Sequence, residues 1–249
     1  MNKALVLLHG FLSYKSDFDA LIPYVQDSYS HIAVPIYPGH DGNYHEFDCI
    51  STLDCLEKDF RALSSRYEEI DIIGFSMGGT LAMYLASRFP VNKLVLLAPC
   101  NKYFNFLMPY IKFRYILKNF FIMEKAFLTR NREEYQNCKR KLKMMFVDDI
   151  KAIRVARDKY LKIYIRKAFK QFRMLIKIVN DTQCSIECPC FIAWGELDQL
   201  VPKKSVLDLY TLCRHQNRKL NIYEDLSHLM LYSEDNTRLI NDIITFLHS

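Results

Sequence analysis

The run Ile70-Asp71-Ile72-Ile73-Gly74-Phe75-Ser76-Met77-Gly78-Gly79-Thr80-Leu81-Ala82-Met83-Tyr84-Leu85-Ala86 leaves few folds open. An apolar segment the length of one buried strand meets Gly-x-Ser-x-Gly, and apolar residues at helical spacing follow at once. A turn that tight forces positive φ on the serine and leaves no room for a Cβ at Gly74 or Gly78. The serine hydroxyl then stands clear of the sheet, and the helix behind it directs its positive N-terminal end toward whatever reacts there. Glycine is scarce, 7 of 249 residues, so chance seldom assembles this pattern. All seven fall at turn-like positions: Gly10 and Gly195 after apolar runs, Gly39 and Gly42 in a loop, and Gly74, Gly78 and Gly79 at this turn.

A chain of this length holds one large α/β domain with a well-buried core and does not require two. Half its residues are apolar and a quarter charged, a globular composition. Met1 to Leu8 carries about five core apolar residues and no small-residue cleavage site before His9-Gly10, so it reads as a first strand rather than a secretory leader. No stretch reaches the roughly twenty apolar residues of a membrane span. Eight cysteines are scattered without a regular framework, which fits a reduced cytoplasmic setting. Cys184-x3-Cys188-Pro189-Cys190 is their one cluster; it lacks a neighbouring histidine, and no metal is expected. Neither Gly-x-Gly-x-x-Gly nor a P-loop pattern occurs, so no nucleotide or other cofactor is expected.

Short apolar runs over 4–8, 31–37, 70–75, 93–98, 190–194 and 220–223 predict about six strands. Helical patterns lie between them, one over 53–67 with Ser51 or Thr52 as its cap and others near 203–214 and 234–247. Such alternation predicts a mostly parallel sheet flanked by helices. It stops between residues 101 and 180, where only long helical patterns appear, over 104–123, 133–146 and 148–179. The expected organisation is therefore a core of 1–100 and 183–249 with a helical lid inserted at 101–182. Charge follows the same division: residues 101–180 hold 21 Lys and Arg against 6 Asp and Glu, a net +15, while the remainder nets −9. Within it Phe104, Phe106, Leu107, Tyr110, Ile111, Phe113, Tyr115, Ile116, Phe120 and Phe121 are interleaved with Lys112, Arg114 and Lys118. One reading packs the apolar side of this helix on the core and leaves its lysines solvated. Another makes the lid's positive field a means of recruiting an anionic lipid surface, an acidic acyl carrier or an acidic substrate. No nucleic-acid reader motif accompanies the charge.

A serine hydroxyl needs a base to take its proton and an acid to orient that base. Both follow the later strands, in Gly195-Glu196-Leu197-Asp198 and in Glu224-Asp225-Leu226-Ser227-His228. The order Ser76, Asp198, His228 resembles the triad of the α/β-hydrolase superfamily. The segments Leu7-Leu8-His9-Gly10-Phe11, Tyr37-Pro38-Gly39-His40-Asp41-Gly42, Gly74-Phe75-Ser76-Met77-Gly78-Gly79, Gly195-Glu196-Leu197-Asp198 and Ser227-His228 most resemble bacterial carboxylesterases and monoacylglycerol lipases. The likeness implies Ser76 as nucleophile, His228 as base and Asp198 as its acid, with Glu196 a rival for the last. It further implies an oxyanion hole from the backbone N–H groups of Phe11 and Met77, and a serine carboxylester hydrolase for short or medium acyl esters, possibly monoacylglycerol. His40 is a candidate for the pocket mouth, or else a solvated turn residue. His9 is expected to shape the oxyanion loop. A thioesterase or another hydrolase of the same fold, or a binding protein that has lost activity, are the alternatives.

Overall fold

Neighbouring residues along the central strands point to opposite faces of the sheet, and both faces are buried. Ala4, Val6 and Leu8 join one apolar cluster while Leu5 and Leu7 join another; Ile72, Leu94 and Leu96 are likewise separated from Ile73, Val95 and Leu97. A strand covered on both sides is apolar throughout, which is why these segments read as unbroken runs. The computed structural model describes residues 2–11, 13–40, 47–102, 108–143, 165–181 and 185–249. It holds six strands: β1 (Lys3–Leu8), β2 (His31–Ala33), β3 (Glu69–Phe75), β4 (Lys93–Leu97), β5 (Cys190–Gly195) and β6 (Arg218–Tyr223). They form a single sheet in the order β2-β1-β3-β4-β5-β6, with every neighbouring pair parallel.

Among the described residues, eight α-helical segments accompany the sheet: α1 (Ile22–Val25), α2 (Cys49–Ser64), α3 (Met77–Ala86), α4 (Met108–Leu128), α5 (132–143), α6 (Ile165–Asp181), α7 (Lys203–Leu212) and α8 (Thr237–His248). Leu56 and Phe60 of α2, Leu81 of α3, Phe172 of α6 and Leu209 of α7 share one core cluster; Val25 of α1 and Ile243 and Phe246 of α8 share the other. Connections between parallel neighbours have to cross a face of the sheet, so the helices end up as its two covering layers.

Three elements differ from expectation. The run 31–37 is a strand only to Ala33. Pro35 has no N–H to add to a ladder, and β2 is an edge strand, so pairing stops there. Helix α2 starts earlier than predicted because Asp48 is its cap: the Asp48 carboxylate accepts the Ser51 N–H at 2.8 Å. The third difference lies between β4 and β5. Helix α6 is built into the core, with Ala168, Phe172, Leu175 and Val179 buried in one stripe against α2 and α3; each large side chain there contributes on the order of 2 kcal/mol. Helix α4 does the opposite. Over 114–128 its buried residues are Asn119 and Ala126, while Phe120 and Phe121, expected against the core, are exposed. Residues 103–107, 144–164 and 182–184, which include Phe104, Phe106, Leu107, the start of the predicted 148–179 helix and Cys184, lie outside the described residues.

Candidate active site

Ser76 joins β3 to α3 with φ 54° and ψ −115°, the strained turn that the motif demands. The glycines on either side answer to backbone contact. A Cβ at Gly78 would stand 1.8 Å from the Leu8 carbonyl oxygen, and one at Gly74 would stand 2.4 Å from that of Gly78. The start of α3 thus rests directly on the end of β1, which sets Met77 beside the loop that carries Phe11. The Ser76 N–H donates to the Leu97 carbonyl at 2.9 Å, tying the turn to β4 as well.

Asp198 and His228 arrive from the loops after β5 and β6. Their loops interlock: a Cβ at Gly195 would come within 2.1 Å of the Leu226 carbonyl oxygen, and the Leu197 N–H donates to that same carbonyl at 3.0 Å. Across this crossing, Asp198 Oδ2 lies 2.8 Å from His228 Nδ1, and His228 Nε2 lies 2.9 Å from Ser76 Oγ. Asp198 Oδ1 accepts the N–H groups of Leu200 at 2.8 Å and Val201 at 2.9 Å. A carboxylate whose partners are all N–H donors is an acceptor only, so Nδ1 carries the imidazole proton and Nε2 is left to accept from the serine hydroxyl. All three side chains are buried, and the His228 ring lies against Phe75 at 5.4 Å. Glu196, the rival acid, is exposed.

The loop after β1 is held by Asp17, Ser13 and Tyr232, which no motif announced, and by Tyr37. The Gly10 N–H donates to Asp17 Oδ2 at 2.9 Å, and Asp17 Oδ1 accepts from the Ser13 hydroxyl and, at 2.7 Å, from the Tyr232 hydroxyl. Tyr37 donates its hydroxyl to the His9 carbonyl, and the His9 ring stacks on Tyr37 at 4.1 Å. Burial, and behind it the Asp17 charge, push both tyrosine hydroxyls well above their ordinary pKa, so they remain donors. Phe11 is sandwiched by aromatic rings: Phe172 of α6 stacks on it at 5.0 Å, with Phe169 at 5.3 Å and Phe47 at 5.7 Å. His40 is buried rather than solvated, edge-on to Phe47 at 5.1 Å and to Tyr37 at 4.9 Å, with Nδ1 3.0 Å from the Pro38 carbonyl oxygen. The neighbouring loop residues Asp41 and Gly42, and His45, lie outside the described residues.

Cys100 is the other unannounced neighbour. Its Sγ stands 3.5 Å from Ser76 Oγ, and its N–H donates to the Ser76 carbonyl at 3.1 Å. Burial pushes the thiol up to about 12, a shift that the Ser76 hydroxyl partly offsets and the Asp198 charge reinforces. The sequence signal for it was slight: a small residue just past the end of β4.

A serine on a strand-to-helix turn, with an imidazole and a carboxylate brought to it from the ends of β6 and β5 of a parallel sheet, is an arrangement that few folds provide. Residues 3–235 match the α/β hydrolase fold family. The chain belongs to that family. Among relatives of this α/β-hydrolase, a Mycoplasma pneumoniae protein whose esterase/lipase assignment is itself inferred is 26% identical over 263 aligned positions, covering 98% of this chain and 87% of its own. A carboxylesterase of Bacillus subtilis is 22% identical over 251 positions, covering 99% of this chain and 92% of its own. In three dimensions the hydrolase is similar to a meta-cleavage product hydrolase from Pseudomonas fluorescens, with a TM-score of 0.65 at 19% identity over 99% of this chain and 90% of that one. The two sequence relatives agree at the level of an esterase/lipase-like hydrolase, and the structural likeness shows the α/β-hydrolase fold. Among the described residues no helix is long and apolar enough to cross a membrane.

Proposed function

We propose that this α/β-hydrolase is a serine carboxylester hydrolase that works through an acyl-enzyme intermediate. The observation that carries the reading is the unbroken relay from Ser76 Oγ through His228 to Asp198. His228 takes the Ser76 proton as Oγ attacks the acyl carbon, then returns it to the leaving alkoxide; Asp198 holds the imidazole tautomer and stabilises its cation. A water then enters by the same base and releases the acid. Charge on the carbonyl oxygen falls to the N–H groups of Met77, at the head of α3, and of Phe11, each such donor supplying on the order of 3 kcal/mol in the transition state. The rings around Phe11 suit an apolar acyl group, and short or medium acyl esters, monoacylglycerol among them, are the substrates proposed. The positive charge of residues 101–180 suits esters presented by an anionic lipid surface or an acidic acyl carrier.

Labelling with a fluorophosphonate probe and a panel of p-nitrophenyl esters, acyl-CoA thioesters and a vinylogous diketone tests this. Oxygen esters are expected to turn over fastest, and Ser76→Ala to lose both the label and at least about a thousandfold in kcat. Thioester turnover well above ester turnover, or C–C cleavage as in the meta-cleavage hydrolase, would reassign the substrate while keeping the triad; activity surviving in Ser76→Ala would remove the nucleophile.

A further inference from the structure

Over its described stretch 114–128, helix α4 fully buries Asn119 and Ala126, half-buries Tyr115, Ile116, Ile122 and Met123, and presents its other large apolar side chains to solvent. Asn119 and Ala126 are buried, at 5% and 1% exposure, whereas Phe120 is 60%, Phe121 59%, Phe127 71%, Leu128 74% and Leu117 43% exposed. The spacing of the exposed set, 117, 120, 121, 127 and 128, is that of one helix face. Beside it runs an open groove lined by Tyr115, Leu117, Phe121 and Ile122 together with Arg114, Lys118 and Lys125 and, among the described residues, no carboxylate; exposed Glu124, which shares the apolar face, is the one acidic residue of the 114–128 stretch. A helix that buries little of its apolar face against its own protein, and flanks that face with cations, has the pattern of one that lies in a lipid interface.

Of the anionic partners considered above, the structure assigns one: we infer that α4 is a docking face for an anionic lipid bilayer, with Leu117, Phe120, Phe121 and Leu128 entering the headgroup region while Lys118 and Lys125 meet lipid phosphates. An acyl carrier is met by charge alone and gives no reason for exposed phenylalanines. A second copy of the chain is disfavoured by charge, because a two-fold contact through this groove would set Lys118 and Lys125 of each copy against the same two of the other. The opposite side of α4 reaches the catalytic end of the sheet: burial pushes the Tyr115 hydroxyl up to about 12, and the charges of Glu196 and Asp225, on the loops of the acid and the base, add to the shift. The neighbouring helix α5 is tied to the same place by Arg140 to Asp225 at 3.1 Å. Docking through α4 therefore places the catalytic loops over the bilayer.

Co-sedimentation with sucrose-loaded vesicles tests the assignment. The protein should bind vesicles containing phosphatidylglycerol at least roughly tenfold more tightly than pure phosphatidylcholine, and rising salt should erode the difference. Phe120→Ser combined with Phe121→Ser should weaken binding to the anionic vesicles by roughly tenfold, and Lys118→Glu combined with Lys125→Glu should abolish the preference for them. Both double variants should hydrolyse soluble p-nitrophenyl butyrate as the unmodified protein does, which reports that they fold. Ser76→Ala should bind vesicles normally, so docking and ester hydrolysis fail separately. Absent or charge-blind vesicle binding overturns the inference, as does a concentration-dependent dimer in sedimentation velocity that the Phe120→Ser, Phe121→Ser pair disperses.

Discussion

Replacing Asp17 by alanine tests whether the loop that carries the proposed oxyanion donor Phe11 is held from a distance. The Asp17 carboxylate is buried and accepts from the Gly10 N–H, the Ser13 hydroxyl and the Tyr232 hydroxyl. Removing it leaves the buried Gly10 N–H without that partner, a cost of about 1 to 3 kcal/mol, and loses two further bonds to a charged acceptor. Because the three bonds share one group they do not add in full, and a total near 3 kcal/mol follows, or roughly 10 °C in Tm for a chain of this size. The catalytic loss is separate. The peptide after Gly10 carries the Phe11 N–H, and misdirecting one oxyanion donor costs up to about 3 kcal/mol of transition-state stabilisation, roughly a hundredfold in kcat. Asp17→Asn is the informative partner. Its amide can turn so that the oxygen faces Gly10 while the NH2 group donates to the hydroxyl oxygens of Ser13 and Tyr232, so kcat should stay within about fivefold. Ester kinetics beside differential scanning fluorimetry would separate the two effects. If Asp17→Ala lowers Tm while leaving kcat intact, or if Asp17→Asn is as damaged as Asp17→Ala, the carboxylate does not position the loop.

Two other perturbations follow from the same geometry. Gly195→Ala puts a Cβ within 2.1 Å of the Leu226 carbonyl oxygen, forcing the loops of Asp198 and His228 apart; expect a stability loss of about 3 kcal/mol or more and no measurable esterase activity, checked by urea unfolding and turnover. The Cys100 thiol, pushed up to about 12, is ionised at roughly one part in ten thousand at pH 8, so iodoacetamide should leave activity intact for hours, whereas rapid inactivation that Cys100→Ala prevents would show the thiol to be reactive.

Ser76, Asp198 and His228 were legible because each follows closely on the end of a strand, which can be read one segment at a time, and a glycine marks the strand end before Ser76 and before Asp198. Gly74, Gly78 and Gly195 made those patterns visible because backbone contact forbids any side chain there. Asp17 was not legible. Its partners Gly10 and Tyr232 lie 7 and 215 positions away, and the segment around it has no regular period to mark it as inward. The buried setting of His40 escaped for a related reason: it depends on Tyr37 and Phe47, which the fold brings around it. Helix α4 shows a different limit. Periodicity tells which residues share a face, and it says nothing about whether that face turns toward the protein.

The side-chain amide of Asn180, at the end of α6, donates at 2.6 Å to the carbonyl oxygen of Asn101, just past β4. Asn101 and Asn180, the two ends of the excursion that follows β4, therefore meet at nearly one point. An excursion pinned in this way can be exchanged for a longer or shorter one without stretching the strands, since each doubling of a closed loop adds only about 0.6 kcal/mol of entropy. What limits the exchange is volume: any replacement has to refill the space now taken by Phe172, Leu175 and Val179, so new specificities can be grafted here provided that they bring their own wedge for the core.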